Sequence, residues 1–369
     1  MDTLTHALSG ALLARVSVPL HTKRDALPAH ARVLAGAAAA AFPDVDFILR
    51  LFGTLTYLDR HQGLTHSLVM LPLWAWLLAV AMARLYRRYG GRPLPWQAFL
   101  APVALGLLVH IAGDFITAYG LQLFAPLSDT RHALPLAFVI DPWISLILLG
   151  GLAASRALDR RGPPHPGRGT AAALVAWAVL GAYLVGLATL RGQALGLART
   201  QAAAYVDATA GVLPQPLSPF HWKLVLSDAE AHHIAHVALD HLGLTTIVTG
   251  VLPSPLAAMA AAYRAPDDLA WTHHSRLGAT ATDPDGHATH ALAREAWHQP
   301  AFAPFRRFAA LPYLDTTYDD GPLRCARFAD LRFTLPGLTP SFRFAMCRDD
   351  RHTPPRWQMQ RSRGAFLID

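Results

Sequence analysis

The chain predicts an all-α multi-pass membrane domain of four to six helices, followed by an α+β, mainly β, extramembrane C-terminal domain. Three observations carry this. Hydrophobic residues make up 53% of the 369 residues and charged ones only 15%, against roughly 25% charged in soluble domains. Long uncharged runs crowd the first half of the chain. Beyond Arg191, prolines and alternating strand-like runs replace them. The boundaries expected are 1–195 for the helical membrane domain, 196–213 for a linker and 214–369 for the extramembrane domain.

Gly169–Leu190 is 22 residues without a charge, enough at about 1.5 Å per residue to cross a hydrocarbon core of roughly 30 Å. Ser67–Ala83 is 17 uncharged residues. Trp96–Tyr119 is apolar except for His110 and Asp114, and Ala133–Ser155 except for Asp141. Two weaker segments precede these: Thr3–Leu20, broken by Arg15, and Val33–Gly53, broken by Asp44, Asp46 and Arg50.

Charge orients the spans. One set of alternate loops carries Arg15, Lys23, Arg24, Arg32, Arg84, Arg87, Arg88, Arg92, Arg156, Arg160, Arg161 and Arg168. The other carries Arg50, Arg60 and Arg131. Positive loops stay cytoplasmic, so the expected location is a bacterial inner membrane with a periplasmic C-terminal domain. The net charge of +7 sits in the apolar half, where it marks orientation; no direct nucleic-acid binding is expected. The start, Met1-Asp2-Thr3, lacks the basic opening of a cleavable signal peptide.

In the second half, Pro214, Pro216 and Pro219 mark a linker. Trp222–Leu226, Arg327–Phe333 and Ser341–Cys347 alternate as strands, while Pro255–Tyr263 and His287–Trp297 suit helices. Cys325 and Cys347 form either one bridge or two free thiols. His232, His233 and His236 look like a metal cluster, and His232 and His236 have helical spacing, but the region has no acidic partner set by spacing.

The ionisable residues of the apolar half carry the functional expectation, because such groups are costly in a membrane. His110 and Asp114 are four apart on a helix and share a face. They can clasp a metal ion or simply hydrogen-bond to each other. Phe42-Pro43-Asp44-Val45-Asp46 ends an alanine-rich helix with two carboxylates, as ligands or as a helix end. His61 and His66 flank a glycine turn, beside Arg60, which is placed for an anionic group. His6 lies near the start of the first apolar segment. Asp141, before Pro142, is either a ligand or a helix cap. In a six-span arrangement His6, Asp44, Asp46, His61, His66, His110 and Asp114 all fall toward one side.

Thr5-His6-Ala7-Leu8-Ser9-Gly10, Phe42-Pro43-Asp44-Val45-Asp46, His61-Gln62-Gly63-Leu64-Thr65-His66-Ser67, His110-x-x-x-Asp114 and Leu134–Pro142 occur in that order. Together they resemble the YdjM-like family of membrane-bound metal-dependent hydrolases, also described as LexA-binding and inner-membrane-associated. The resemblance covers about residues 1–155. It implies a distant similarity to zinc-dependent phospholipase C. It also implies metal-ligand roles for His6, one of Asp44 and Asp46, one of His61 and His66, and His110 with Asp114. The first 200 residues contain no Glu, so the phospholipase His-x-x-x-Glu pair is absent or replaced, with Asp141 a candidate.

The function expected is hydrolysis by metal-activated water, of a phosphoester such as a lipid headgroup or lipid-linked phosphate. One or two divalent ions are expected, zinc first and manganese second. Catalytic roles fall to Asp44, Asp46 and Arg60, with Arg131 a second phosphate contact. The partners expected are the bilayer, a lipid or phosphoester substrate and a protein partner. The alternatives are a non-enzymatic inner-membrane protein whose structural metal site supports recruitment of a partner, and an ion or proton pathway.

Overall fold

The structure is a computed structural model that describes residues 1–17, 27–89, 92–160, 167–203, 207–240, 254–277 and 284–361. Lys23, Arg24 and Arg161 of the orientation argument lie outside the described residues. The chain divides into two compact units. One comprises Met1–Gly53 and Arg60–Thr189; the other comprises Thr54–Asp59 and Leu190–Asp369.

The first unit is helical: α1 (Thr3–Val16), α2 (Ala29–Ala41), a 3₁₀ stretch (Phe42–Phe52), a 3₁₀ turn (Leu64–His66), α4 (Leu71–Arg88), α5 (Gln97–Phe115), α6 (Pro142–Arg160) and the first part of α7 (Arg168–Ala202). A short α3 (Thr54–Arg60) lies between the two 3₁₀ elements. Among the described residues two helices, α5 and α7, are long and apolar enough to cross a membrane. A third span results if Thr54–His66 and α4, bent by 78°, count as one. The expected four to six spans are therefore not reached by length and composition among the described residues. At 14 residues, α1 is only about 21 Å long. The expected Val33–Gly53 span changes from α2 to a 3₁₀ helix at Phe42, where Pro43 enters. The apolar part of α6 is cut short by Arg156, Asp159 and Arg160.

Small residues let α1, α2 and α5 meet closely. A Cβ on Gly10 would stand 2.3 Å from the Gly36 carbonyl oxygen, and one on Gly106 would stand 2.5 Å from the same atom. Ala31, Ala35 and Ala39 of α2 pack with Ala75 and Ala79 of α4 and Phe99, Val103 and Leu107 of α5. Leu12 of α1 packs with Ile144 and Leu148 of α6 and Ala173, Ala176 and Leu180 of α7. At the far end of α1, Arg15 pairs with Asp159 and donates from Nε to Ser155 Oγ at 2.9 Å.

The second unit holds two antiparallel four-stranded sheets. The first runs β1 (Thr209–Pro214), β2 (His221–Ser227), β3 (Ala231–Ala238), β4 (Thr272–Ser275). The second runs β5 (Pro312–Asp320), β6 (Leu323–Asp330), β7 (Phe344–Asp349), β8 (Arg356–Arg361). α8 (Ser254–Ala260) lies between β3 and β4 in sequence, and α9 (Pro284–His298) and α10 (Ala303–Phe308) lie between the two sheets. The residues expected as a linker contain the last turns of α7 and most of β1. There Ala194 and Ala198 pack against Val212, Trp222, Leu224 and Leu226. The proline cluster marks the β1–β2 connection. His232 and His236 lie on strand β3 rather than on a helix. Cys325 and Cys347, opposite each other on β6 and β7, form a disulfide.

Candidate metal centre

Asp44, His66, His110 and Asp114 each offer a ligand atom within 4.8 Å of the others. The site is built from three elements. α5 supplies His110 and Asp114 from adjacent turns of one face. The 3₁₀ stretch following α2 supplies Asp44. The 3₁₀ turn after Gly63 supplies His66.

The contacts define a small polyhedron. Asp114 Oδ2 lies 3.3 Å from His66 Nε2 and 3.3 Å from His110 Nε2. Asp44 Oδ1 lies 3.8 Å from His66 Nε2 and 3.7 Å from His110 Nε2. A tetrahedral ion with ligands at about 2.0–2.2 Å sets its ligand atoms about 3.3–3.6 Å apart; the two Asp114 edges match that spacing and the two Asp44 edges are slightly longer.

The imidazoles are oriented for that role. His110 Nδ1 lies 2.6 Å from the carbonyl oxygen of Ala40, and donation there leaves Nε2 as a bare lone pair. His66 Nδ1 lies 2.9 Å from Thr65 Oγ1. Both Nε2 atoms are buried and have no hydrogen-bond partner. Buried polar atoms are normally satisfied, and an ion among these four residues would satisfy both.

The other expected ligands surround the cluster. His6 Nε2 is 3.0 Å from Asp114 Oδ1, and its ring stacks on His110 at 3.7 Å. Gly113 permits this approach: a Cβ there would stand 3.2 Å from His6 Cε1. The Met1 amino group also donates to Asp114 Oδ1. Asp114 thus faces His6 with one oxygen and the cluster with the other. Asp46 turns toward the His61–His66 loop. It lies 2.7 Å from His61 Nδ1 and accepts from the Gln62 backbone N–H at 3.0 Å and Thr65 Oγ1 at 3.2 Å.

Gln62 is a site residue that the sequence did not announce. It is buried, its backbone has φ of 61°, and its Nε2 donates to Asp114 Oδ2 at 2.9 Å. Its only sequence signal is its place inside the histidine–glycine turn. Arg131 donates to the carbonyl oxygens of His61 at 3.2 Å and Gly120 at 2.8 Å, so it braces the loop. Arg60 is exposed at the end of α3. Asp141 caps α6: Oδ1 accepts from the backbone of Trp143 and Ile144, and Oδ2 accepts from the Tyr183 hydroxyl at 2.9 Å.

The fold and site together define a membrane protein whose helical unit buries a His/Asp cluster able to hold a metal ion. The model of the YdjM inner membrane protein family matches residues 1–194, and the chain belongs to that family. A Bacillus subtilis (strain 168) protein named Uncharacterized protein YfhP is 30% identical over 155 residues, 42% of this chain. The match spans 46% of that relative, less than half its length. No solved structure matches the chain.

Proposed function

We propose that the chain is a metal-dependent hydrolase of phosphoesters held in the inner membrane. The observation that carries this is the pair of buried Nε2 atoms on His66 and His110 that lack a hydrogen-bond partner while facing carboxylate oxygens of Asp44 and Asp114. Those four residues would hold the ion. Mixed imidazole and carboxylate donors suit zinc first and manganese second. When bound, such an ion supplies Lewis acidity: it acidifies water and stabilises charge on a phosphoryl oxygen.

The chain's own groups do the rest. Asp44 is the ligand with the greatest remaining exposure, its side chain 19% exposed against 0% for His66. Its Oδ1 faces the histidines and its Oδ2 accepts from Thr3 Oγ1, so Asp44 is the ligand through which substrate and water would reach the ion. Gln62 orients Asp114, and Asp46 holds the loop bearing His66. Arg60 is assigned to the anionic group of the substrate.

Helix direction supports the location. α1, α4 and α6 end at Arg15, at Arg87 and Arg88, and at Arg160, while His6 and Asp141 stand at the opposite ends of α1 and α6. With arginines inside, the cage faces the periplasm. α7 then carries the sheet domain outward, where a Cys325–Cys347 bridge is at home.

The test is metal analysis and turnover on the full chain purified in detergent. The expected result is about one divalent ion per chain, lost in His110→Ala, and hydrolysis of a phosphodiester that stops on chelation and returns with zinc. Stoichiometric metal without turnover across lipid and nucleotide phosphoesters would replace this reading with a structural metal site. No bound metal would remove both.

A further inference from the structure

The segment that bears Asp44 also presents apolar side chains outward. In the 3₁₀ stretch Phe42–Phe52, residues three apart align. Val45, Ile48 and Leu51 form such a row, exposed by 54%, 58% and 82%. Phe52 beside them is 73% exposed. Asp46 on the same segment is buried. An apolar row of this kind on a monomer's surface marks a contact with something apolar.

Depth decides what that something is. α5 has 19 residues and is about 28 Å long, close to a hydrocarbon core of roughly 30 Å. His110 and Asp114 lie in its last turns. The 3₁₀ stretch starts directly after Ala41, and the Ala40 carbonyl oxygen is 2.6 Å from His110 Nδ1. Asp44 and the row beside it therefore lie level with the end of a membrane span, where an outward apolar side chain meets lipid. Access agrees. The side chains of His66, His110 and Asp114 are 0%, 0% and 1% exposed, and that of Asp44 is 19% exposed. In the three-residue turn Asp44 shares its row with Phe47, itself 55% exposed, and Arg50, next to the row of Val45, Ile48 and Leu51, so the partly open ligand borders exposed apolar side chains. Arg50, on the same segment with its guanidinium 4.8 Å over the Phe47 ring, adds a cation at headgroup level.

We propose that the cage opens sideways onto the bilayer boundary and that its substrate is a membrane lipid bearing a phosphoester. The headgroup reaches Asp44 while the acyl chains lie along Val45, Ile48 and Leu51. This rests on the hydrolase reading above. In the reaction, the oxygen of water bonds to phosphorus as one ester P–O bond breaks, and the departing alkoxide takes up a proton from that water.

Two measurements on the full chain, reconstituted in phosphatidylcholine–phosphatidylglycerol vesicles, test it. The first uses chelator-treated protein with a nitroxide on Leu51→Cys. Power saturation should show oxygen contact exceeding contact with a water-soluble nickel chelate. A label reached freely by the nickel chelate overturns the proposal. The second compares turnover of phosphatidylglycerol in vesicles with turnover of the soluble diester bis(p-nitrophenyl) phosphate. In an Ile48→Ser/Leu51→Ser variant that still binds metal, the lipid-to-soluble ratio should fall about tenfold, because two apolar side chains no longer meet lipid. An unchanged ratio, with the soluble diester hydrolysed, overturns this proposal and leaves the hydrolase reading standing. Turnover of neither substrate by the metal-loaded wild type removes both.

Discussion

Asp44 and Asp46 are two positions apart, and the three-residue turn of a 3₁₀ helix sets them about 240° from one another. Asp44 faces the cluster, while Asp46 is occupied by donors from His61, Gln62 and Thr65. Asp46 would therefore act on a bound ion through the loop that carries His66. An Asp46→Asn variant keeps one acceptor oxygen and loses the charge that gathers those donors. The expected outcome is an affinity for zinc weaker by about 10–100-fold at unchanged saturating stoichiometry, whereas Asp44→Asn removes a ligand and lowers the stoichiometry itself. Competition titration with a zinc chelator separates the two; equal losses would put both carboxylates on the ion. The motifs were legible because His and Asp stand out in an apolar background. Which aspartate faces the cluster was not, since a spacing of two has no meaning until the helix type is known. Gln62 was hidden for another reason: a neutral amide is neither a usual ligand nor a costly charge, and its left-handed backbone gives no sign in a sequence that places glycine one residue later.

At the scale of elements, the cage depends on how closely α2 and α5 approach. The Gly106 position leaves room for the Gly36 carbonyl, and a Cβ there would stand 2.5 Å from that oxygen and 3.0 Å from Ala39 Cβ. A side chain at 106 must push α5 from α2, and with it the His110 ring from the Ala40 carbonyl. Overpacking of this kind costs about 1–3 kcal/mol. Gly106→Ala is expected to weaken zinc binding by about tenfold or more, while Gly150→Ala, with nothing within 4 Å of its added Cβ, changes nothing. Isothermal titration of both variants checks this; equal behaviour would show that the helix contact does not set the cage. Hydropathy found the apolar runs and the residues that break them, but not the shape of each break. It could not show that Pro43 starts a 3₁₀ stretch, or that the segment before α4 is bent from it by 78°. Nor did the 22-residue run reveal that α7 extends to Ala202, because its last turns are held by Trp222 and Leu224 of a sheet distant in sequence.

At the scale of the whole molecule, the two units place ionisable groups in different surroundings. In the sheet unit, Lys223 of β2 is fully buried and donates to Leu331 O at 2.7 Å, Thr334 O at 2.6 Å and Thr334 Oγ1 at 2.8 Å. This ties the first sheet to the segment after β6. His236 is the cross-strand partner of Lys223. Burial, with Lys223 and His274 nearby, pulls the His236 imidazole down to about 3. Burial, with Lys223 and the neighbouring histidines, pulls His274 down to about 4, and burial does the same to His221. In the unfolded chain each takes up a proton near pH 6.5, but the folded domain resists doing so until about pH 3 or 4. Acid therefore favours the unfolded state, and the stability these groups contribute is lost as the pH falls below about 6.5. Urea midpoints from pulse proteolysis of the sheet unit, measured on the intact chain in detergent, should decline steadily from pH 7 to pH 4.5. A His236→Gln/His274→Gln variant should show a shallower decline, because two of the proton-binding sites that open on unfolding are gone. A midpoint that holds level or rises on acidification would mean that these imidazoles reach solvent in the folded domain.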